Sequence, residues 1–282
     1  MRHAQLLSAV YGQPWAIRPA DWYAVHRIVF DHVTGKKTPP DNFTPKLSPR
    51  GERPTETFFG DKIQQMEIRN GVAIIPVKGT MFKGAGMFDK VCGACSHEDI
   101  SADLDIALAN GVRGIVLDIS SPGGTVVGTP ELAAKVAQIN QSGTPILAFT
   151  DELIASAAYY IAAGAGAILT TGSATIGSIG TIWETYNVAE SLAKEGVEFN
   201  IFTSGPYKGM GHPAKKLTDE QAAWMQNHVD ELADEFKAHV LTFREVEDET
   251  MQGQIFTGKQ AVENGLADGE VQSIADVLAM FD

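Results

Sequence analysis

The chain has 282 residues, and its 22 Lys and Arg against 35 Asp and Glu give a formal charge of −13. This length and a hydrophobic content of 44% allow a sizeable buried core. The acidic balance argues against general nucleic-acid binding, because the phosphate backbone attracts basic surfaces. Two cysteines do not make a disulfide framework, and residues 1–10 lack the apolar stretch of a secretory signal, so we expect a cytoplasmic protein.

The first sixty residues differ from the rest. Apolar residues at helical spacing predict a helix over residues 15–30, which Asp21 could cap. Residues 34–58 are rich in proline and polar residues, which is typical of a linker or an extended arm. We therefore divide the chain into an N-terminal helix and arm, residues 1–60, and a main domain, residues 61–282.

Strands and helices alternate along the main domain. The predicted strands are 72–77, 114–119, 145–149, 167–170, 181–186 and 197–202, and the predicted helices are 96–108, 129–141, 154–163, 188–194 and 218–243. Ser96 is a candidate N-cap, Pro130 stands in a first helical turn, and Thr218 with Gln221 forms a capping box. This alternation predicts an α/β fold, a mainly parallel sheet flanked by helices.

Residues 153–183 contain no charged side chain. An uncharged stretch of this length raises the possibility of a membrane span, which needs about 20 apolar residues. Its Ala, Gly, Ser and Thr content, and the glycines that interrupt it, argue against a continuous apolar helix. We interpret the stretch as tightly packed backbone inside the fold.

Two of the small motifs near predicted strand ends suit acyl-transfer chemistry. Gly123 and Gly124 follow the strand 114–119, and such glycines can turn their N–H groups toward an oxyanion, although a simple Pro-Gly turn also explains them. Ser156 lies in Ala155–Tyr160, where a helix start can expose its hydroxyl beside the next backbone N–H. The alternative is a serine packed within an Ala-rich helix.

Two further motifs follow along the chain. Ser178 stands in Gly177–Gly180, which by itself indicates only close backbone packing. Lys208 lies among Gly, Pro, Tyr and Met residues, where desolvation can turn a lysine into a base. That role requires its pKa to fall from about 10.4 to near neutrality. An ordinary loop lysine is the alternative.

In this order, the Gly-Gly turn, the serine, Gly-Ser-Ile-Gly and the lysine resemble the signal peptide peptidase A family of Ser-Lys proteases. The resemblance extends from about residue 74 to 279 and includes 253–261 and 265–268. The start, Pro14-Trp15-Ala16-Ile17, resembles the phage head-maturation branch of that family, the lambda C-protein type. The resemblance implies a Clp-protease/crotonase-like fold and an endopeptidase that processes capsid or scaffold proteins in the host cytoplasm or the phage prohead.

The resemblance also implies roles for single residues. Ser156 would be the nucleophile and Lys208 its general base, and Ser178 would position the lysine. Gly123, with Gly124, and the N–H of Ala157 would form the oxyanion hole. The family implies a homo-oligomeric ring in which the two residues of one site can come from neighbouring subunits. The chain departs from membrane-bound members, which carry an N-terminal anchor and usually glycines at the positions of residues 157 and 158.

Other interpretations remain open on the sequence alone. A bacterial cytoplasmic peptidase that degrades signal or other peptides, a non-catalytic capsid or portal ring protein, and a crotonase-type acyl-CoA enzyme are the rival functions. Cys92, Cys95 and His97 offer three zinc ligands without a fourth, so we expect no metal and no cofactor. A triad of Ser156, His212 and Asp118 is less favoured than the lysine dyad. We expect neither nucleic acid nor a membrane as a partner.

Overall fold

The computed structural model describes residues 13–19, 21–22, 46–47, 53–56, 62–85, 90 and 93–282. The strands are β1 (Trp15–Ile17), β2 (Glu67–Arg69), β3 (Val72–Lys78), β4 (Met81–Phe82), β5 (Cys95–Ser96), β6 (Gly114–Ser121), β7 (Gly123–Thr125), β8 (Ile146–Ala155), β9 (Ala167–Thr170), β10 (Thr175–Gly177), β11 (Ile255–Thr257) and β12 (Gly269–Glu270). The helices are α1 (His97–Ala109), α2 (Thr129–Gln141), α3 (Ala157–Ala163), α4 (Ala189–Lys194), α5 (Asp219–Phe243), α6 (Gly258–Glu263) and α7 (Ile274–Ala279).

The main sheet has the strand order β11-β10-β8-β6-β3-β2. Strands β10, β8, β6 and β3 run parallel to one another, and β2 and β11 pair antiparallel at the two ends. One face is covered by α1, α2 and α3 over a core that includes Ile75, Leu117 and Ile146, while α7 packs on the other face near Phe149. The predicted α/β class, a mainly parallel sheet flanked by helices, is confirmed.

The helices with clear end signals are also confirmed. Helix α1 begins after Ser96, whose side chain accepts a hydrogen bond from the Asp99 N–H. Helix α2 spans the predicted residues, with proline in its first turn, and α5 begins at the predicted capping box of Thr218 and Gln221. Each of these signals involves only residues that are neighbours in sequence, so it can be recognised without knowing the tertiary structure.

Strand β8 is longer than predicted and changes partners along its length. Its first half, Leu147–Thr150, pairs with β9, and its second half, Leu153–Ala155, pairs with β10. The helix predicted from residue 154 therefore begins only at Ala157. The prediction was wrong because Asp151 and Glu152, at the crossover, interrupt the apolar pattern although they lie in the strand.

A second, small sheet has the order β1-β7-β4-β5. Strand β1 pairs antiparallel with β7, and β4 runs parallel to both β7 and β5. The prediction that a helix begins at Trp15 is wrong for Trp15–Ile17, whose backbone is extended by this pairing. Most of the predicted N-terminal arm lies outside the described residues.

Residues 183–217 contain little regular structure apart from α4. The strands predicted over 181–186 and 197–202 are absent, except that Ile182 forms an isolated bridge with Trp15. The edge of β10 that a further strand would need is occupied by β11. None of the helices that the structure describes is both long enough and apolar enough to cross a membrane.

Candidate active site

Ser156 lies at the end of β8 and is the N-cap residue of α3. Its φ of 55° and ψ of −122° place it in a conformation that non-glycine residues rarely adopt. The turn is held by two backbone hydrogen bonds, from the Ser156 N–H to Gly177 O at 2.8 Å and from the Tyr160 N–H to Ser156 O at 2.9 Å. Strain of this kind persists only where the surroundings enforce it, and it is concentrated at functional sites.

Gly123 faces this serine from the end of the neighbouring strand β6. A Cβ placed on Gly123 would stand 2.8 Å from the Ser156 Cβ and 2.9 Å from the Ala157 N atom. The φ of Gly123 is +100°, a second reason for glycine at this position. Gly124 is placed differently, since a Cβ there would stand 1.9 Å from the Met81 carbonyl oxygen on β4. The structure therefore groups Gly123, Ala157 and Ser156 and places Gly124 against β4.

Ser121 is a residue near this group that the sequence did not single out. Its hydroxyl donates to the Gly79 carbonyl at 2.7 Å and accepts a hydrogen bond from the Gly123 N–H at 3.2 Å. Ser121 has no exposed surface. It fixes the turn between β6 and β7, and its position next to the Gly-Gly pair is the signal that could have identified it.

Ser178 follows β10, the other neighbour of β8. It too has a positive φ, 56°, and it is 5% exposed. Two residues later, the Gly180 carbonyl accepts a hydrogen bond from the Ser156 hydroxyl at 3.5 Å. The ends of β6, β8 and β10 thus bring the glycine motif, Ser156 and the Ser178 loop to one edge of the sheet, where parallel α/β folds place their sites.

A groove of about 570 Å³ opens beside the Ser178 loop. One wall is residues 178–182, and the other is the face of α5 that carries Asp230, Asp234 and Lys237. The Lys237 ammonium pairs with the Asp248 carboxylate at 2.9 Å. The groove is thus an open volume directly next to Ser178.

Lys208 is not brought to Ser156 in the single chain. It lies in an exposed turn of the segment 183–217, and no hydrogen bond joins its amine to Ser156 or to any other residue that the structure describes. The single chain leaves the Lys208 side chain exposed, and its role as the base stays a prediction. The turn packs on the first part of α5, where the rings of Tyr207 and Trp224 lie 6.0 Å apart.

The less favoured sites do not assemble. Asp118 pairs with Lys78 at 2.7 Å, and the His212 Nδ1 atom accepts a hydrogen bond from the Ala214 N–H, so neither points to a triad with Ser156. Within the described part of the chain, no three His, Cys, Asp or Glu side chains are grouped to hold a metal ion. Cys92 lies outside that part.

Similarity to known proteins covers most of the chain. Peptidase family S49 matches residues 138–281. Capsid assembly protease C of Escherichia phage lambda is 29% identical over 77% of this chain and 50% of its own length. Head-tail preconnector protein GP5 of Enterobacteria phage P21 is 30% identical over 82% and 45%, and a putative signal peptide peptidase SppA of Enterococcus faecium is 36% identical over 56% and 47%. The chain spans about half the length of these relatives.

Proposed function

Because the chain belongs to Peptidase family S49, we propose that it is a serine endopeptidase with Ser156 as nucleophile and Lys208 as general base. The observation that carries this proposal is the strained turn at Ser156, with Gly123 and the Ala157 N atom beside it. A serine held in this way, next to backbone N–H groups, is the arrangement that acyl transfer requires.

The reaction follows from these positions. The Ser156 oxygen attacks the carbonyl carbon of the scissile peptide bond, and the Lys208 amine takes the proton of the Ser156 hydroxyl in the same step. The Ala157 N–H stabilises the oxyanion of the tetrahedral intermediate, and the Gly123 N–H joins it once it leaves the Ser121 hydroxyl to which it donates in this structure. The Lys208 ammonium then protonates the leaving amine, and a water molecule, deprotonated by the same lysine, hydrolyses the acyl-enzyme. Ser178 positions the lysine amine at the groove.

A neutral Lys208 requires loss of solvent, which the single chain does not provide. The segment that carries it also exposes large apolar side chains, with Phe202 93% exposed and Phe199 52% exposed. Contiguous exposed apolar surface is typical of contact sites. We therefore infer a homo-oligomer in which a neighbouring copy covers the segment 183–217, desolvates Lys208 and directs its amine toward Ser178.

Single variants of Lys208 and of Lys237, the lysine that lines the groove, test the base. Lys208→Ala and Ser156→Ala should each abolish hydrolysis of a peptide substrate, while Lys237→Ala should retain most of it, because Lys237 is paired with Asp248. If Lys237→Ala is the inactive lysine variant and Lys208→Ala is active, the assignment of the base is wrong.

Mixing two inactive variants tests whether the site is shared between copies. If Ser156 and Lys208 of one site come from different copies, Ser156→Ala and Lys208→Ala together should recover part of the parent activity. If the site is formed within one chain, the mixture stays inactive. Light scattering on Phe202→Glu should show weaker association than the parent. An active parent that is only monomeric would refute the oligomer.

The substrate we propose is a phage capsid or scaffold protein, cleaved in the host cytoplasm or the prohead. The similarity to the lambda and P21 proteins supports this proposal. A second candidate is a bacterial peptidase of signal or other peptides, which the similarity to the Enterococcus faecium protein favours. Incubation with candidate capsid and scaffold proteins, and separately with signal peptides, followed by mass spectrometry of the products, distinguishes the two.

A further inference from the structure

Strand β1 lies between the two backbone segments that flank Ser156. On one side it pairs antiparallel with β7, with Ile17 opposite Gly123 and Ala16 opposite Gly124. On the other side Trp15 exchanges two backbone hydrogen bonds with Ile182, both 2.8 Å long. Because β7 begins with Gly123 and residue 182 follows the Ser178 loop, β1 fills the space in which a peptide could bind as an added strand.

The main chain of β1 comes close to the nucleophile. The point that a Cβ on Gly123 would occupy lies 2.2 Å from the Ala16 carbonyl oxygen, and the Ser156 Cβ and the Ala157 N atom lie within 2.9 Å of the same point. Ser156 has no exposed surface in this arrangement. An external peptide therefore has no access to Ser156 while β1 is in place.

The side chains of β1 are bound as a ligand would be. Trp15 is fully buried, and its ring lies 4.9 Å from that of Trp22 and 5.2 Å from that of Phe82. Ala16 and Ile17 are each 3% exposed, and Ile17 also lines the groove beside Ser178. The occupied positions thus accept an aromatic, then a small, then an aliphatic side chain.

The residues after β1 fasten it in place. The Arg18 N–H donates to the Pro122 carbonyl at 2.9 Å, and the Trp22 indole N–H donates to the Glu184 carboxylate at 2.6 Å. These contacts join β1 to both flanking segments. An external chain that binds in the same place has to displace all of them.

We propose that Trp15–Ile17 is an internal peptide ligand of the substrate cleft, which blocks Ser156 until the strand leaves. The inference rests on the proposed peptidase function and specifies its substrate: an extended chain that runs antiparallel to β7, with a small residue at the carbonyl that faces Ser156 and an aromatic residue before it. Release of β1 exposes the cleft and starts turnover of other protein chains.

A reversible disulfide lock tests the proposal in the 282-residue chain. Trp15→Cys with Ile182→Cys, in a Cys92→Ser and Cys95→Ser background, places two thiols in a hydrogen-bonded antiparallel pair, where Cα atoms lie about 5.5 Å apart and a disulfide fits. Oxidation to the disulfide fixes β1 in the cleft. Reduction frees β1, which no longer has the Trp15 side chain that anchors it in the parent. The reduced form should hydrolyse a peptide substrate at least tenfold faster than the oxidised form, and the same oxidant should not change the Ser-substituted background.

Peptide binding gives a readout that does not need catalysis. A fluorescent peptide with the sequence of residues 13–18, QPWAIR, should bind the reduced form at least tenfold more tightly than the oxidised form, as measured by anisotropy. The same peptide with Ala16→Trp should bind neither form, because the position of Ala16 is closed. If the first peptide binds both forms equally, or neither form, the proposal is refuted.

The two proposals can fail separately. Selective peptide binding without any turnover would leave the cleft inference standing and refute the peptidase function. If the cysteine pair prevents folding, Ala16→Trp in the full chain provides a second variant, because its side chain does not fit beside β7 and should expel β1. That variant should bind QPWAIR more tightly than the parent does, and an unchanged affinity refutes the proposal.

Discussion

The first residue of α1, His97, should make the protein sensitive to mild acid. The His97 residue is 4% exposed, and neither ring nitrogen has a hydrogen-bond partner among the residues that the structure describes. Burial lowers the pKa of His97 to about 4, and the carboxylates of Glu98 and Glu131 oppose this by raising it. Lys83, on the same side, lowers it further. In the folded protein this side chain is therefore neutral at pH 5.

The direction of the pH effect on stability follows from comparing this pKa with that of a histidine in an unfolded chain, about 6.5. Below pH 6.5 the imidazole is protonated in the unfolded state but stays neutral in the folded state. The contribution of His97 to the free energy of unfolding is therefore fully present above pH 6.5 and is lost as the pH falls toward 4. At pH 5 the loss is about 2 kcal/mol. This is a large share of a typical unfolding free energy of about 5–15 kcal/mol.

Urea unfolding of the parent and of His97→Leu, at pH 7.5 and pH 5, measures the effect. Between these pH values the parent should lose about 2 kcal/mol more than the variant. Burial also lowers the pKa of His239, which contributes equally to both proteins and cancels in the difference. Equal losses in the parent and in His97→Leu would refute the reasoning.

Three further substitutions have defined outcomes. Gly123→Ala should lower peptide turnover by about 10²-fold or more, because its Cβ falls among the atoms of the proposed oxyanion hole. Gly143→Ala is the control: Gly143 has a similar φ of +103° and open space around its Cβ, so this variant should retain turnover. Asp268→Ala removes the carboxylate that pairs with the buried guanidinium of Arg244 and should lower the urea unfolding free energy by about 1–2 kcal/mol, less than for a fully buried pair because the Asp268 side chain is 43% exposed. Tyr159→Phe removes a buried hydrogen bond of 2.9 Å and should cost about 1 kcal/mol in the same measurement.

The sequence predicts best those features that are determined locally. Helix α2 has proline in its first turn, and α5 has a capping box, so both begin where a few neighbouring residues require. The order of glycine turn, Ser156 and Ser178 predicts one site, because each motif follows a strand of one parallel sheet. Such strands end at a common edge, which brings distant motifs together.

Features that depend on distant partners could not be predicted in this way. The residues 197–202 have a strand-like pattern, but β11 already occupies the edge of β10. Trp15–Ile17 continues a helical pattern, and yet its extended form follows from pairing with β7 and Ile182. The positive φ of Ser156 depends on the backbone contact with Gly177, which no neighbour in sequence provides.

The uncharged stretch 153–183 determines where the base has to come from. It contains Ser156, the Ala157 N–H and Ser178, so it supplies the proposed nucleophile and the proposed oxyanion donor but no charged side chain. A neutral surrounding favours an unprotonated amine over an ammonium ion, since burial without a counter-charge lowers the pKa of a lysine. An amine held against this stretch becomes a base only where the Asp230 and Asp234 carboxylates on the opposite wall of the groove do not reach it, and Lys208 can stay in its exposed turn until assembly of the oligomer carries it there.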